Sequence, residues 1–412
     1  MSKHEFDVLI IGAGPAGIAA ACAARQSGSH DAVVDDNPAA GGQIWRSTAH
    51  PQIEKFKSSG AELLSGARIF HAPEPNVLLA ETYDGAETLH YKNLILATGA
   101  RELFLPFPGW TLPNVMGAGA LQAMVKSGLD IKGKRVIVAG SGPLLLAVAA
   151  YLVNHGAKVL RVAEQASYAS VSNLGRSMWN KPAKLWQAFS LFSDLTGVPT
   201  NYNCYPIAAE GNGKLERVTL GGAERWIESC DYLACGFGLV PNTELGEMLG
   251  THLENGFIKV DSHQQTNIPH VYAAGEPTGI GGLDKALAEG RTAGFSATGR
   301  DFQDPTLPEA KTFEALLSTT YALRPELRTL ADATTTVCRC EDVTLGQLTN
   351  HQSWREAKLH TRCGMGPCQG RICGPAVEHL LGWQTASIRP PVFPAKLTSF
   401  LKKIEKDRGR GC

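Results

Sequence analysis

Five of the ten cysteines are gathered within residues 338–373. Cys338 and Cys340 form a C-x-C pair, and Cys363, Cys368 and Cys373 follow at five-residue spacing. Thiolates at such spacings bind iron–sulfur clusters or zinc. Zinc sites more often contain C-x2-C pairs, so the spacing favours an iron–sulfur cluster. Spacing alone does not decide whether the second pair of ligands is 363/368 or 368/373.

Composition narrows the class of protein. A chain of 412 residues predicts two or three domains. The formal net charge of zero argues against a nucleic-acid partner. The first residues enter an apolar strand rather than a secretory signal, so we expect a cytoplasmic protein without a disulfide framework. The longest apolar run, residues 143–153, is shorter than the ~20 residues that span a bilayer, and we expect no transmembrane segment.

The stretch DVLIIGAGPAGIAAACAARQSG predicts a strand, a glycine turn and a helix. The G-x-G-x-x-G spacing allows a tight turn, close approach of the backbone to a pyrophosphate, and close packing of helix on strand. The next predicted strand ends at Asp35 and Asp36, where an acid binds the hydroxyls of a ribose. Together these elements predict a nucleotide site. Its loop residues are Gly12, Gly14, Pro15, Ala16 and Gly17.

Three further segments are placed to complete this site. A glycine pair lies in PAAGGQIWR, a buried strand ends in Ala-Thr-Gly, and a strand, an acid and a glycine pair precede a helix within residues 267–294. An acid at that last position can accept hydrogen bonds from the ribityl hydroxyls of a flavin, while the start of the helix faces its phosphates. The cofactor-binding residues predicted in these segments are Gly42, Gln43, Ala97, Thr98, Gly99, Gly275, Glu276, Gly281 and Gly282.

A second strand, glycine turn and helix lies at residues 135–165. Gly140 and Gly142 repeat the first two glycines, but Leu145 stands where the third is expected. Glu164 still occupies the position of the ribose-binding acid. The leucine side chain disfavours close packing around a dinucleotide, so we expect a Rossmann-like domain kept as structure, with NAD(P) binding unlikely.

These patterns predict an α/β protein with two Rossmann-like dinucleotide-binding domains, one inserted in the other, followed by a small helical domain. The expected boundaries are a discontinuous FAD-type domain at 1–105 and 255–305, an inserted NAD(P)-like domain at 106–254, a linker at 306–330 and a cysteine-rich domain with its tail at 331–412.

The chain resembles the pyridine-nucleotide-disulfide-reductase-like alpha subunits of heteromeric amine dehydrogenases. These include opine oxidases, D-hydroxyproline and L-proline dehydrogenases and hydrogen cyanide synthase. The resemblance covers nearly the whole chain, and GGQIWR, LILATGARE, AGSGPLLLAVAAYL and AAGEPTGIGG carry it. Neither C-x2-C nor C-x4-C lies near a glycine loop, so a redox-active disulfide beside the flavin is not expected.

The cysteine-rich segment resembles the bacterioferritin-associated-ferredoxin-like [2Fe–2S] domain, with TRCGMGPCQGRIC as the matching text. That resemblance implies Cys338, Cys340, Cys368 and Cys373 as the cluster ligands. It leaves Cys363 as a spare thiol beside them.

The resemblance also implies the reaction and the partners. A secondary amine or amino acid of the hydroxyproline, proline or opine type would be oxidised to an imine in a separate, D-amino-acid-oxidase-like subunit with its own FAD. A further small subunit, an FMN at the interface of two subunits and peripheral association with the inner membrane through the complex are compatible with the family. FAD or another adenine nucleotide would occupy the first glycine loop, and the sequence indicates no catalytic acid or base.

Two other classes of function remain open from the residues. One is a stand-alone NAD(P)H-dependent reductase that passes electrons to its own [2Fe–2S] cluster, against which Leu145 argues. The other is a non-catalytic assembly subunit with zinc bound by the C-terminal cysteines.

Overall fold

The computed structural model describes residues 3–46, 48–179, 193–384 and 388–400. The described residues form two compact units, each assembled from separate stretches of sequence. The first unit draws on Met1–Arg101, Pro241–Ala315 and Ser387–Cys412, and the second on Glu102–Val240 and Leu316–Ala386. The first unit is thus interrupted twice in sequence by residues of the second.

A seven-stranded sheet forms the centre of the first unit. Six of its strands are β1 (Lys3–Ile11), β2 (Asp31–Asp35), β3 (Glu62–Ser65), β4 (Arg68–Glu74), β5 (Val77–Thr82) and β6 (Gly85–Leu96). They lie in the order β3-β2-β1-β6-β5-β4, and the short strand Val271–Ala273 also pairs with β6. β1 is parallel to β2 and β6, whereas β4 and β5 are added as antiparallel strands.

Both faces of β1 are buried. Its alternate residues belong to two hydrophobic cores, with Ile10 in one and Leu9 in the other. A strand covered on both faces needs apolar residues at every position, which explains the uninterrupted run in the sequence. The carboxyl end of this strand delivers the chain directly to the first glycine loop.

Two helices of the first unit cross at very close range. In helix Gly282–Ala297, a Cβ added at Gly290 would lie 2.2 Å from the Ala16 carbonyl oxygen, and one at Gly294 would lie 2.3 Å from that of Ala20. Only glycine permits this approach to helix Pro15–Arg25. The contact fixes the start of that helix against the segment that follows Val271–Ala273. The other helices of the unit include Pro51–Ser59 and Glu244–Leu249.

The second unit contains a five-stranded parallel sheet and a three-stranded antiparallel sheet. In spatial order the first comprises Thr200–Tyr202, Lys158–Glu164, Arg135–Gly140, Tyr232–Gly236 and Val115–Gly117. The second comprises Cys204–Glu210, Arg217–Gly222 and Trp226–Ser229. The helices Ala118–Lys126, Leu144–Asn154 and Tyr168–Ser177 belong to the same unit.

The cysteine-rich segment has a small core of its own, built around Trp354 and Val377. Its elements are the strands Thr336–Cys338 and Val343–Thr344 and the helices Leu345–Leu348, Trp354–Thr361 and Cys373–Leu381. The indole Nε1 of Trp110 donates a hydrogen bond to the Thr336 carbonyl at 2.5 Å, which ties this segment to the rest of the second unit.

The stretch 306–330, predicted as a linker, contains the helix Leu307–Thr320 and the 3-10 helix Pro325–Thr329. The remaining short elements are the strands Ala100–Glu102, Leu239–Pro241, Leu253–Glu254 and Phe257–Ile258 and the 3-10 helix Glu276–Thr278. Among the described residues, none of the helices combines the length and apolar character needed to cross a bilayer. The predicted α/β class with two Rossmann-like sheets is confirmed, and the domain boundaries stay a prediction.

Replacing Asp31 should stabilise the protein at neutral pH. Its side chain is 1% exposed, with Arg25 Nε at 3.5 Å, and burial raises its pKa from 3.8 to about 6. The folded state holds the proton of Asp31 more tightly than the unfolded state does. Ionisation of this carboxyl group therefore does not affect the free energy of unfolding below about pH 4, and lowers it by about 3 kcal/mol above about pH 6. We therefore expect Asp31→Asn to raise the free energy of unfolding at about pH 8 and to leave it nearly unchanged at low pH.

Thermal unfolding of wild type and variant across that pH range measures the effect. The control is Asp84→Asn at an exposed position. Equal stability of wild type and Asp31→Asn at about pH 8 would contradict the assignment of the cost to this carboxylate.

Candidate cofactor and metal sites

The first glycine loop is held closely against its neighbours. Gly12 has a φ of +110°, and a Cβ there would lie 2.2 Å from the Ala97 carbonyl oxygen. A Cβ at Gly17 would lie 1.8 Å from the Gly12 carbonyl oxygen. The first and third glycines therefore serve backbone packing, as the sequence pattern indicates.

Gly14 differs from its two neighbours in the motif. It has an extended backbone with φ −77°, and an added Cβ would meet nothing within 4 Å. Gly14 is the N-cap residue of helix Pro15–Arg25, and the first turn of that helix carries no acidic residue. Open space beside Gly14 and the absence of an acidic side chain in the first turn make this helix start suited to a phosphate.

The two acids at the end of β2 have different partners. Asp35 is buried, and its Oδ2 accepts a hydrogen bond from the Ala13 backbone at 2.6 Å, within the glycine loop. Its Oδ1 accepts from the Asn37 backbone at 2.8 Å. Asp36 is exposed and forms a salt bridge to Arg68 at 3.1 Å. The structure thus brings Asp35, rather than Asp36, into contact with the loop.

The predicted glycine pair lies directly on the first loop. The Gly41 backbone N–H donates to the Ala13 carbonyl at 2.8 Å. A Cβ at Gly42 would lie 2.9 Å from the Gly14 Cα. Gln43 follows as an exposed residue, so its side chain is accessible beside this contact.

The residues after β6 reach the same edge of the sheet. The Ala97 N–H donates to the Ile11 carbonyl at 2.9 Å. Thr98 makes two hydrogen bonds with Asn242. The Thr98 hydroxyl donates to the Asn242 carbonyl oxygen at 2.6 Å, and the Asn242 side-chain amide donates to the Thr98 carbonyl oxygen at 2.9 Å. Gly99 follows and accepts a hydrogen bond from the Asn242 N–H at 3.0 Å. Ala97 therefore contacts the glycine loop, and Thr98 and Gly99 continue the chain from that contact.

The segment from Gly275 to Gly282 closes on the start of the first helix. A Cβ at Gly275 would lie 2.9 Å from the Ala16 Cβ. Burial raises the pKa of Glu276 to about 7, although the Lys285 ammonium opposes the rise. Among the described residues, the Glu276 Oε2 atom is buried and has no hydrogen-bond partner. Gly281 and Gly282 begin the helix Gly282–Ala297 beside it.

A buried charged network, not predicted from the sequence, supports this segment. Lys285 is 1% exposed, and its ammonium lies 3.0 Å from the Gly279 carbonyl oxygen and 3.1 Å from Glu289 Oε2. Glu314 Oε1 lies 3.8 Å from the same ammonium. The i,i+4 spacing of the lysine and the first glutamate was a visible signal. Glu314 lies in the predicted linker, so nothing local indicated it.

These residues fit a flavin nucleotide. A dinucleotide needs free backbone donors for its phosphates and acceptors for its hydroxyls. The start of helix Pro15–Arg25, with open space beside Gly14, offers backbone donors. The buried Glu276 Oε2 atom, which has no hydrogen-bond partner among the described residues, offers an acceptor.

The second glycine loop has a similar backbone but a different neighbourhood. Gly140 has a φ of +135°, and a Cβ there would lie 1.9 Å from the Gly236 carbonyl oxygen. Leu145 is buried in the core beneath the loop. Both carboxylate oxygens of Glu164 accept backbone hydrogen bonds, from Gly142 and Ala166 at 2.8 Å each. The acid at the ribose position is therefore held by its own chain in the same way as Asp35 is in the first loop.

The five cysteines of residues 338–373 come together. The sulfur atoms of Cys338, Cys363 and Cys373 lie within 4.8 Å of one another and are buried. Cys340 Sγ lies 3.8 Å from Cys368 Sγ, and Cys368 contacts Cys373 in turn. The five-cysteine group reaches the surface through Cys340, which is exposed.

Glycines shape the backbone around this group. A Cβ at Gly366 would lie 2.3 Å from the Cys340 Cβ, so only glycine lets the two segments meet. Hydrogen bonds from the Cys363 and Cys373 thiols, and from the Gly364 N–H, lower the pKa of Cys338. Because sulfur ligands bind metals and iron–sulfur clusters, this gathering of cysteines, with three buried sulfurs within 4.8 Å of one another, fits such a centre.

Two sheets of Rossmann type, each with a glycine loop at its edge, define the chain as a dinucleotide-binding oxidoreductase of two units. It belongs to the pyridine nucleotide-disulphide oxidoreductase family, whose sequence model matches residues 6–290. Membership of this family implies FAD binding.

Curated relatives match along almost the whole chain. Hydrogen cyanide synthase subunit HcnB of Pseudomonas aeruginosa is 28% identical over 95% of this chain and 97% of its own length. An opine oxidase subunit of Rhizobium meliloti is 30% identical over 96% of this chain and 87% of its own length. Among solved structures, L-proline dehydrogenase from P. horikoshii superposes with a TM-score of 0.66 over 96% of this chain and 80% of its own, at 19% identity. The resemblance to this type of flavoprotein subunit is confirmed, and these findings support a flavin-dependent dehydrogenase subunit.

Proposed function

We propose that the chain is the flavin- and [2Fe–2S]-containing electron-transfer subunit of a heteromeric dehydrogenase that oxidises a secondary amine or amino acid to an imine. The observation that carries the proposal is the five-cysteine group, with three buried sulfurs within 4.8 Å of one another, in a chain whose family implies FAD. A one-electron centre and a two-electron cofactor in one chain suit the transfer of electrons away from a substrate.

The first glycine loop would hold the nucleotide. The N–H groups at the start of helix Pro15–Arg25 would bind the pyrophosphate, and Asp35 would orient the ribose through the loop. The orphaned oxygen of Glu276 would accept from the ribityl hydroxyls, with Lys285 and Glu314 fixing the backbone around it. When bound, the flavin supplies the electron-accepting chemistry. FAD is the preferred occupant, and another adenine nucleotide would use the same loop and acid.

The cluster ligands we propose are Cys338, Cys340, Cys368 and Cys373. Two of them are joined by the 3.8 Å contact between Cys340 and Cys368, and Cys373 contacts both Cys368 and Cys338. Cys363 would be the fifth thiol, buried against the ligands without binding iron. Zinc would suit the same sulfurs. The visible absorption spectrum of the purified protein separates the two metals, because an iron–sulfur cluster adds broad absorption to the flavin bands whereas zinc adds none.

The substrate class and the partners rest on the relatives. Two of them are named as subunits of opine oxidase and hydrogen cyanide synthase, and a solved neighbour is named as an L-proline dehydrogenase. We therefore propose a substrate of the opine, proline or hydroxyproline type. A D-amino-acid-oxidase-like catalytic subunit with its own FAD would oxidise it. An FMN at the interface of two subunits is compatible with this arrangement, as is a further small subunit.

The chain alone should not dehydrogenate such a substrate. The acids at the two glycine loops, Asp35, Glu164 and Glu276, are placed for nucleotides or bound to the backbone, and we assign no catalytic acid or base. We expect background dye reduction with proline, hydroxyproline or an opine when the purified chain carries flavin and iron. Activity should appear when the catalytic subunit is co-expressed and co-purified.

The comparison uses one artificial acceptor and equal flavin concentrations. Turnover by the chain alone at the rate of the complex would place the substrate site within these residues and contradict the proposed role as an electron-transfer subunit. Rapid flavin reduction by NADH under anaerobic conditions would instead favour a stand-alone reductase.

A further inference from the structure

A short segment of the chain lies across the second glycine loop. The Ser141 hydroxyl, within the loop, donates a hydrogen bond to the Tyr321 carbonyl at 3.2 Å. The Gln165 side-chain amide donates to the Ala322 carbonyl at 3.2 Å, and its oxygen accepts from the Arg324 N–H at 3.2 Å. The segment 321–324 is thus bound through its backbone carbonyl and N–H groups.

Gln165 is built into the centre of this contact. It is fully buried and directly follows Glu164, the acid at the ribose position. Its amide nitrogen also donates to the Ser141 hydroxyl at 2.9 Å. Arg324 adds a hydrogen bond from its guanidinium to Asn203 Oδ1 at 3.0 Å. Both N–H donors of this buried amide are occupied, so neither is free for a nucleotide.

Tyr321 lines the adjoining pocket together with Gly142, Glu164 and Tyr202, and this cavity has a volume of about 20 Å³. That volume holds about one water molecule and not an adenine ring. Burial raises the pKa of the Tyr321 phenol, and the neighbouring Glu164 carboxylate acts in the same direction. The neutral phenol therefore lines the same small cavity as the glycine loop and the acid.

In a dinucleotide-binding fold this space, at the carboxyl ends of the first two strands, holds the adenosine half of the ligand. We propose that in this protein it is a docking site for the segment 321–324, which excludes NAD(P) and anchors the polypeptide that leads to the five-cysteine group. Leu327, directly downstream, lies in the core of the same unit, so the anchored stretch continues from the pocket into the interior. The same strands and loop bind the chain itself in place of a dinucleotide.

The first test asks whether the site takes a nucleotide. Wild-type protein with its native cofactor content is mixed with ADP-ribose at about 1 mM, which detects even weak binding, and amide hydrogen exchange is followed in the peptide that covers residues 140–146. We expect no change in exchange in this peptide. Protection that saturates with ADP-ribose would overturn the proposal, because the segment would not be excluding the ligand.

The second test removes the occupant. The variant Tyr321→Gly/Arg324→Ala should exchange the amides of residues 140–146 and 321–324 about tenfold faster, with the peptides of the first unit unchanged. Tyr321→Phe keeps the ring and is the matched control, expected to behave as wild type. Unchanged exchange in both peptides of the folded double variant would overturn the docking role. If the double variant does not fold, Gln165→Leu takes its place, because it removes the acceptor of the Arg324 N–H. The same faster exchange of both peptides is then expected, and unchanged exchange would again overturn the docking role.

Discussion

Gly14→Val should give a folded protein that has lost its bound nucleotide. The backbone at Gly14 is extended, with φ −77°, so a valine is sterically permitted there. An added Cβ would meet nothing within 4 Å in the protein, and its branches would point into the space over the start of helix Pro15–Arg25. A pyrophosphate needs that space. We expect nucleotide occupancy to fall by about tenfold or more, which is a loss of about 1.4 kcal/mol of binding free energy or more.

The measurement is the nucleotide released per chain after denaturation, together with the circular dichroism of the folded protein. The control is Gly175→Ala, at a second glycine where an added Cβ would meet nothing within 4 Å but which lies in helix Tyr168–Ser177. Full occupancy in folded Gly14→Val would show that the nucleotide does not lie over this loop. A variant at Gly12 would be uninformative, since its Cβ would collide with the Ala97 carbonyl oxygen.

Cys373→Ser should remove the iron–sulfur cluster, whereas Cys363→Ser should keep it. A hydroxyl replaces a thiolate poorly at iron, because soft sulfur ligands suit the cluster. Both residues are buried in the same five-cysteine group, so the two variants are matched in position and in chemistry. We expect about two iron atoms per chain in wild type and in Cys363→Ser, and close to none in Cys373→Ser. Cys368→Ser should behave as Cys373→Ser does.

Iron content and the electron paramagnetic resonance signal after dithionite reduction provide the measurements. Loss of iron from Cys363→Ser with retention in Cys373→Ser would reverse the choice of ligands. That result would make Cys363, and not Cys373, the ligand that pairs with Cys368.

The sequence predicted the parts of the site that depend on local chain geometry. The roles of Gly12 and Gly17 follow from a turn of fixed length between a strand and a helix, and the structure places them as expected. The choice between Asp35 and Asp36 could not be made from sequence. It depends on which carboxylate the twist of β2 directs at the glycine loop, and the structure selects Asp35.

The residues that sequence reasoning missed are those brought in from far along the chain. Glu314 reaches Lys285 only because a polar, proline-containing stretch forms the helix Leu307–Thr320. Tyr321 belongs to the same predicted linker, and its place at the second glycine loop depends on tertiary contacts that no periodicity encodes. Cys363 illustrates a different limit, since equal spacings on either side of Cys368 cannot distinguish a ligand from its neighbour.

Synthesis from the N-terminus delivers Ala16 and Ala20 to the ribosome exit long before their partners Gly290 and Gly294. The start of helix Pro15–Arg25 gains its packing only when those glycines emerge. Such contacts between distant parts of a chain form late and slow the folding of a domain. The hydrophobic core of the first unit therefore stays incomplete while residues 102–240 are synthesised. Chaperone demand during translation should be greatest in that interval, and a chain truncated before residue 275 should persist as an aggregation-prone fragment.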